Sequence, residues 1–261
     1  MYLCKIINER IRIMNNIPTI TKNLLIINAL AFLATVVAES YGIDLTNYLG
    51  LHFLLSEDFN LAQLFTYMFM HGGFTHLFFN MFALWMFGRT LEMVWGSKRF
   101  LTFYLVCGIG AGIVQEVVTG IHYVTLTAGV PPEALEAVYN EGANALRNHM
   151  NFTNPTLAAI NATLNGSTVG ASGSIYGILL GFGMLFPNER MFVFPLPFPI
   201  KAKFFVIGYA VIELLAGLAN NPADNVAHFA HLGGMIFGFF LILYWRNKNR
   251  RDGFYYNRTE R

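Results

Sequence analysis

Residues Ser167 to Gly177 read STVGASGSIYG, and they open an apolar run that continues to about Pro187. Glycine weakens a helix and a hydroxyl in a dry environment needs a partner, so a segment loaded with both must gain something elsewhere. Working outward, the whole chain shares the run's character. Of its 261 residues 55% are hydrophobic and 12% charged, against roughly 25% charged in ordinary soluble domains. The mean hydropathy is +0.47. This is the composition of a polytopic membrane protein with helices as its spanning elements.

A span needs about 20 mostly apolar residues. Six candidates satisfy this approximately, at 23–41, 75–95, 100–119, 172–187, 203–219 and 226–245. The expected organisation is a leader over 1–22, an all-α bundle of six transmembrane helices over 23–245, and a basic tail over 246–261. The first apolar stretch lacks a small-residue cleavage pattern and reads as a retained span. Sixteen of the seventeen Lys and Arg residues fall in the leader, the 2–3 and 4–5 connections and the tail. Only Arg147 lies in the other connections, so both termini are expected on the cytoplasmic side. The net charge of +2 gives no reason to expect a nucleic-acid partner, and two cysteines, Cys4 and Cys107, imply no disulfide framework.

The 3–4 connection, about 120–169, is long for a compact domain. Its segment PPEALEAVYNEGANALRNHM (131–150) starts with Pro-Pro and puts Leu135, Val138 and Leu146 near one face, which predicts a surface helix lying against the bilayer. The same loop holds three N-glycosylation patterns, at Asn151, Asn161 and Asn165.

Polar groups at membrane depth are costly and mark function by default. The second span opens HGGFTHLFFNMFALW, with His71 ahead of it and His76 and Asn80 one helical turn apart. The sixth opens NVAHFAHLGGMIFG, with His228 and His231 sharing a face. The fourth opens with Ser172. All three clusters fall at the non-cytoplasmic ends of their spans under the predicted topology. A serine with an imidazole in reach is the minimum set for acyl transfer, because the hydroxyl alone is a poor nucleophile at neutral pH. Taken alone Ser172 reads as a helix cap; the two histidine clusters make it a nucleophile candidate. Gly173, Gly177 and Gly181 recur every fourth residue, as do Gly234 and Gly238, so two glycine grooves could bring helices four and six close enough for Ser172 to meet His231.

These motifs resemble the rhomboid family of intramembrane serine proteases. Gly170-Ala171-Ser172-Gly173 is similar to that family's nucleophile motif, Ala230-His231 with Gly234 and Gly238 to its histidine motif, and His71, His76 and Asn80 to its third. Gly88 and Glu92 look like the end of the same helix in the family. The resemblance implies Ser172 as nucleophile and His231 as general base, a dyad without an orienting carboxylate, its imidazole held against Tyr176. It implies His76, Asn80 and the Ser172 N–H as oxyanion donors, no cofactor, and single-span membrane proteins as substrates cut near the outer leaflet. The implied location is a bacterial inner membrane with the site on the non-cytoplasmic side. The sequence departs from the family at Ala62 and Gln63, where a Trp-Arg pair often stands, which puts that pair's anchoring of the 1–2 loop in question. His71 and His228 are expected in supporting or cavity-lining roles, and Glu213 in the fifth span is expected to be protonated or hydrogen-bonded to a neighbouring helix.

Two other readings stand beside this one. Four histidines on one side of a membrane could bind zinc, although no H-E-x-x-H occurs and no carboxylate accompanies them on their own spans. A pseudoprotease that only binds membrane clients would lack the nucleophile or base, and this chain keeps both.

Overall fold

The computed structural model describes residues 17–192, 198–219 and 226–251. The leader up to residue 16, parts of the 4–5 and 5–6 connections and the tail beyond residue 251 lie outside them. The described chain is a helical bundle. Helix α1 covers Thr19–Ser40, followed by the short α2 (Leu45–Leu49), strand β1 (Leu51–His52) and α3 (Gln63–Thr66). The second expected span is one continuous rod made of α4 (Phe74–Ala83), a π turn (Leu84–Gly88) and α5 (Arg89–Trp95). Next come α6 (Ser97–Thr127), α7 (Pro132–Arg147), α8 (Pro155–Asn165), β2 (Ser167–Thr168) and α9 (Ser172–Leu185). A small β3–β4 hairpin (Arg190–Met191 with Ile200–Lys201) precedes α10 (Ala202–Ala219) and α11 (His228–Arg251).

Among the described residues four helices, α1, α6, α10 and α11, are long and apolar enough to cross a bilayer, and α9 is a shorter apolar helix between them. Leu30, Leu33, Phe79, Ile207, Leu215 and Phe240 are each more than half exposed on the outside of the bundle. Water would penalise such a surface, and hydrocarbon does not. The buried set mixes large apolar side chains with polar groups, Asn80, Glu92 and Glu213 among them.

Helices α6, α9 and α11 form the centre. Tyr104, Phe100, Phe103 and Cys107 of α6 are fully buried. Ser174 Oγ on α9 donates to the Tyr104 carbonyl at 2.7 Å. A β-carbon on Gly234 would strike the carbonyl oxygen of Gly173, and one on Gly238 would lie 3.5 Å from the Gly177 Cα. The two glycine rows therefore touch backbone to backbone. Gly181 is different: its open side faces Trp95, Leu91 and Phe103, so it makes room for α5 and α6 rather than for α11.

The basic ends of the helices collect at one end of the bundle. Arg246 donates to the Met184 carbonyl at 3.1 Å, Arg99 sits 5.8 Å over the Trp245 ring, and Arg190 pairs with Lys201 in the hairpin. At that end Glu92, buried on α5, accepts from Ile20 N (2.9 Å), Thr21 N (2.7 Å), Thr21 Oγ1 (2.8 Å) and Ser97 Oγ (2.7 Å). Residues from a different helix thus satisfy orphan N–H groups in the first turn of α1, whose own preceding residue, Pro18, makes no side-chain cap.

The opposite end carries a second, smaller core. Helix α6 runs for 31 residues, about 46 Å at 1.5 Å per residue, past the expected end of its span. Its last turns meet α7 and α8, with Phe53, Val138, Ile160 and Leu164 buried together and Tyr123 and Leu126 of α6 packed against them. The expected surface helix at 131–150 is present as α7, but its apolar face is covered by α8, a helix the periodicity did not separate from the loop. The asparagines of two glycosylation patterns lie inside this contact. Asn161 donates to the Gly142 carbonyl (3.1 Å) and Asn165 donates to Asn161 Oδ1 (2.9 Å), leaving both buried.

The anchoring put in question by the missing Trp-Arg pair falls to Gln63 itself. Its side-chain nitrogen donates to the carbonyls of Asp58 (2.9 Å) and Tyr48 (3.2 Å), and its oxygen accepts from Asn60 N (3.1 Å) and His52 N (3.2 Å). All four capacities of one buried amide are used to tie the 1–2 connection together.

Three stability outcomes follow from these contacts. Gly234→Ala should force α9 and α11 apart and lower the thermal midpoint in detergent, at a cost of about 1–3 kcal/mol typical of overpacking. Gly208→Ala, where a β-carbon meets nothing within 4 Å, should leave the midpoint unchanged or slightly raised. Glu92→Ala strands the buried N–H and hydroxyl of Thr21, and should cost roughly 1–3 kcal/mol for the groups left unpaired. Differential scanning fluorimetry of the purified variants checks all three.

Candidate active site

The backbone contact between α9 and α11 sets the distance between their side chains one turn further out. Ser172, the first residue of α9, lies with its Oγ 2.8 Å from His231 Nε2. His231 is 7% exposed and its imidazole is stacked on Tyr176, ring centroids 4.2 Å apart and planes within 7°. Tyr176 is one turn along α9 from Ser172, so a single helix presents both the hydroxyl and the plate on which its partner rests.

The other ring nitrogen of His231 is also occupied. Its Nδ1 lies 2.9 Å from Glu213 Oε2, and the Nδ1 of His228 reaches the same oxygen at 2.6 Å. The Tyr176 hydroxyl donates to Glu213 Oε1. Glu213 is buried, one of only three buried residues along α10 with Ala202 and Val206. This corrects one expectation and meets another. The imidazole does have a carboxylate partner, supplied by α10 rather than by either helix that carries the serine or the histidines. Glu213 is hydrogen-bonded to neighbouring helices as expected: its partners lie on α9 and α11, and its two oxygens face one hydroxyl and two imidazole nitrogens.

The same three residues bear on the zinc reading, since Glu213, His228 and His231 each offer a ligand atom within 4.8 Å of the others. The spacing is that of hydrogen bonds. Two ligands each about 2.0–2.1 Å from a tetrahedral zinc sit roughly 3.3 Å apart, whereas the nitrogen-to-oxygen separations here are 2.6 and 2.9 Å.

On the opposite side of Ser172 lies a small cradle. Gly170 adopts φ +132°, a backbone region that side chains avoid, and a β-carbon there would sit 2.8 Å from His76 Nε2 and 3.4 Å from Ser172 Oγ. The glycine therefore keeps open a position within hydrogen-bonding range of His76 and beside the serine. Its N–H is tied to the Tyr67 carbonyl at 3.0 Å, and β2, just upstream, pairs with β1, so the cradle hangs from the 1–2 connection. The first intrahelical bond at this end of α9 runs from Ile175 N to the Ala171 carbonyl, which leaves the N–H groups of Ser172, Gly173 and Ser174 ahead of the ladder.

Asn80 is buried and its Nδ2 donates to the His76 carbonyl at 3.0 Å, holding the start of α4. His71 is buried edge-on to His76, centroids 5.1 Å apart, and neither of its ring nitrogens has a hydrogen-bond partner among the described residues. His228 lines a cavity of about 340 Å³ together with Gln115, Thr119, His122 and Thr125. The structure thus brings Ser172, His231, Tyr176 and His228 into one cluster and sets His76 and Gly170 beside the serine. Sequence reasoning missed the part of Glu213, whose signal was a lone acid in the middle of an apolar span, and Gln63, which carried none.

Residues 58–248 match the family model described as the Rhomboid domain. Among curated proteins, the chain is 30% identical over 192 residues to the putative rhomboid protease YdcA of Bacillus subtilis, covering 72% of this chain and 70% of that one. It is 27% identical over 176 residues to rhomboid protein 1, mitochondrial, of Saccharomyces cerevisiae, covering 65% of this chain and 38% of the relative. To the rhomboid protease GluP of B. subtilis it is 29% identical over 179 residues, 68% of this chain and 25% of that protein. The chain thus spans well under half the length of two of these relatives. With a family match across most of its length and a helical bundle of the corresponding kind, the chain is an integral membrane protein that belongs to the rhomboid family.

Proposed function

We propose that this protein is an intramembrane serine endopeptidase that cuts single-span membrane proteins near the outer leaflet. The observation that carries the reading is the 2.8 Å contact between Ser172 Oγ and His231 Nε2. In this reading His231 takes the serine proton as Oγ attacks the scissile carbonyl, and returns it to the departing amine. Negative charge then develops on the carbonyl oxygen. The opening at Gly170 is where that oxygen fits, with His76 Nε2 on one side and the Ser172 N–H at the helix start on the other. Asn80 supports His76 through its carbonyl and has a second amide hydrogen to offer.

A substrate helix hides its carbonyls in its own hydrogen bonds, so it must unwind locally before Ser172 can reach one. Gly or Pro near the cut favours this. Hydrolysis of the acyl-enzyme needs water, and the cavity that reaches His228, with Gln115, Thr119, His122 and Thr125 among its lining residues, is a route for it. The topology belongs to the same proposal: both termini on the cytoplasmic side, in a bacterial inner membrane, with the cluster facing away from the cytoplasm.

Purified protein in liposomes should cleave a model single-span substrate and be labelled by a fluorophosphonate. Ser172→Ala should abolish both reactions and His231→Ala should abolish cleavage; equal cleavage by wild type and both variants would sink the proposal. His76→Ala should lower kcat about 10²–10³-fold, the usual cost of one oxyanion donor. Gly170→Ala, which fills the cradle, should do at least as much. A metal chelator should leave wild-type cleavage unchanged; if the chelator removes it, zinc replaces the serine as the catalyst.

A further inference from the structure

We infer that Glu213 is the third member of the catalytic arrangement, a positioning residue that holds His231 as the Nδ1–H tautomer and turns the Ser172–His231 pair into a Ser–His–Glu relay. The inference rests on the protease reading above and adds a residue to it.

The argument is a count of donors and acceptors. An ionised carboxylate only accepts, and an imidazole in its neutral form has one donor nitrogen and one acceptor nitrogen. Tyr176 has a hydroxyl to give to Oε1, and two imidazole nitrogens face Oε2. The assignment that satisfies every contact puts a proton on Nδ1 of both histidines. His231 Nε2 is then a bare lone pair, 2.8 Å from Ser172 Oγ, and can only accept. Without the carboxylate nothing in the cluster would choose between the tautomers, and the Nε2–H form would place a proton where the serine's proton has to go. After proton transfer the imidazolium carries a positive charge in a buried site. Glu213 lies 2.9 Å from it and supplies the opposite charge.

The carboxylate is itself held in place. Tyr176 does two things at once: its ring stacks flat on His231, and its hydroxyl fixes the far oxygen of Glu213. His228, three residues before His231 on the same helix face, fixes the near oxygen. Glu213 therefore has both oxygens bound from α9 and α11 while it projects from α10. A purely structural role, anchoring the largely lipid-exposed α10 to the bundle, would need the hydrogen bonds and not the charge.

That difference defines the experiment. Glu213→Gln keeps the size, keeps one acceptor oxygen for Tyr176 or a histidine, and replaces the other oxygen with a donor that favours the wrong tautomer. Wild type, Glu213→Gln and Ser172→Ala are compared in liposomes for kcat and KM on the model substrate, for the rate and end-point of fluorophosphonate labelling, and for thermal midpoint. The expected result is a fall in kcat of at least 100-fold, toward the ~10⁴-fold seen when an orienting carboxylate becomes an amide in soluble serine proteases. KM should stay within about threefold, labelling should slow but reach the same end-point, and the midpoint should hold, since these follow the binding surface and the folded fraction. A kcat within tenfold of wild type, or a loss that merely tracks a lower labelling end-point, overturns the inference. Cleavage that survives Ser172→Ala instead overturns the protease reading itself, so the two failures are distinguishable. Should Glu213→Gln not fold, nitrogen-15 NMR of histidine-labelled wild type decides: His231 protonated at Nδ1 supports the relay, and protonated at Nε2 sinks it.

Discussion

Everything at the site depends on the direct contact of two backbones. Gly234 lies against the Gly173 carbonyl and Gly238 against Gly177, so α9 and α11 approach as closely as helices can. In a bilayer there is no hydrophobic force to press helices together, because lipid tails are as apolar as leucine. Dispersion between closely fitting surfaces has to do it, and that interaction falls off within an ångström of separation. The serine hydroxyl and the imidazole sit just beyond the end of this contact. A short hydrogen bond between side chains from two helices is thus fixed by features that carry no chemistry of their own.

Around that contact several polar groups are gathered into hydrogen-bonded sets. Gln63, Glu92, Glu213 and the Asn161–Asn165 pair each lie in a buried position and each is hydrogen-bonded to named partners. Water is scarce at membrane depth, so a half-satisfied group there would cost more than in a soluble core. The sets also join elements far apart in sequence. Gln63 gathers the 1–2 connection, Glu92 joins the first two spans, and Glu213 joins the last three.

The spans and the paired motifs were legible because they repeat along one helix. Apolar runs of bilayer length, histidines one turn apart and glycines every fourth residue are periodic signals, and periodicity is what a single sequence displays. What stayed hidden was convergence between helices. Glu213 precedes His231 by 18 residues and belongs to a different helix, so nothing in the local pattern says that its carboxylate meets the imidazole. Gln63 was noticed only as the absence of another residue. Helix α8 was obscured by the asparagines that also gave the loop its polar look, although Asn154 followed by Pro155 is a helix start by its chemistry. Gly181 followed the right spacing but faces other helices, which shows that a repeat identifies a small-residue face without naming the neighbour that uses it.

The carboxylate of Glu92 has a consequence for biosynthesis. The opening turn of α1 is completed by a residue that leaves the ribosome 71 residues after Thr21. Until the α5 segment has been threaded into the bilayer, the earliest helix has amide hydrogens at its boundary that only headgroups or water can satisfy. The amides of Ile20 and Thr21 therefore meet their carboxylate only when the α5 segment is in place. The cap on α1 is thus a tertiary contact, which forms with the fold and not with the helix alone.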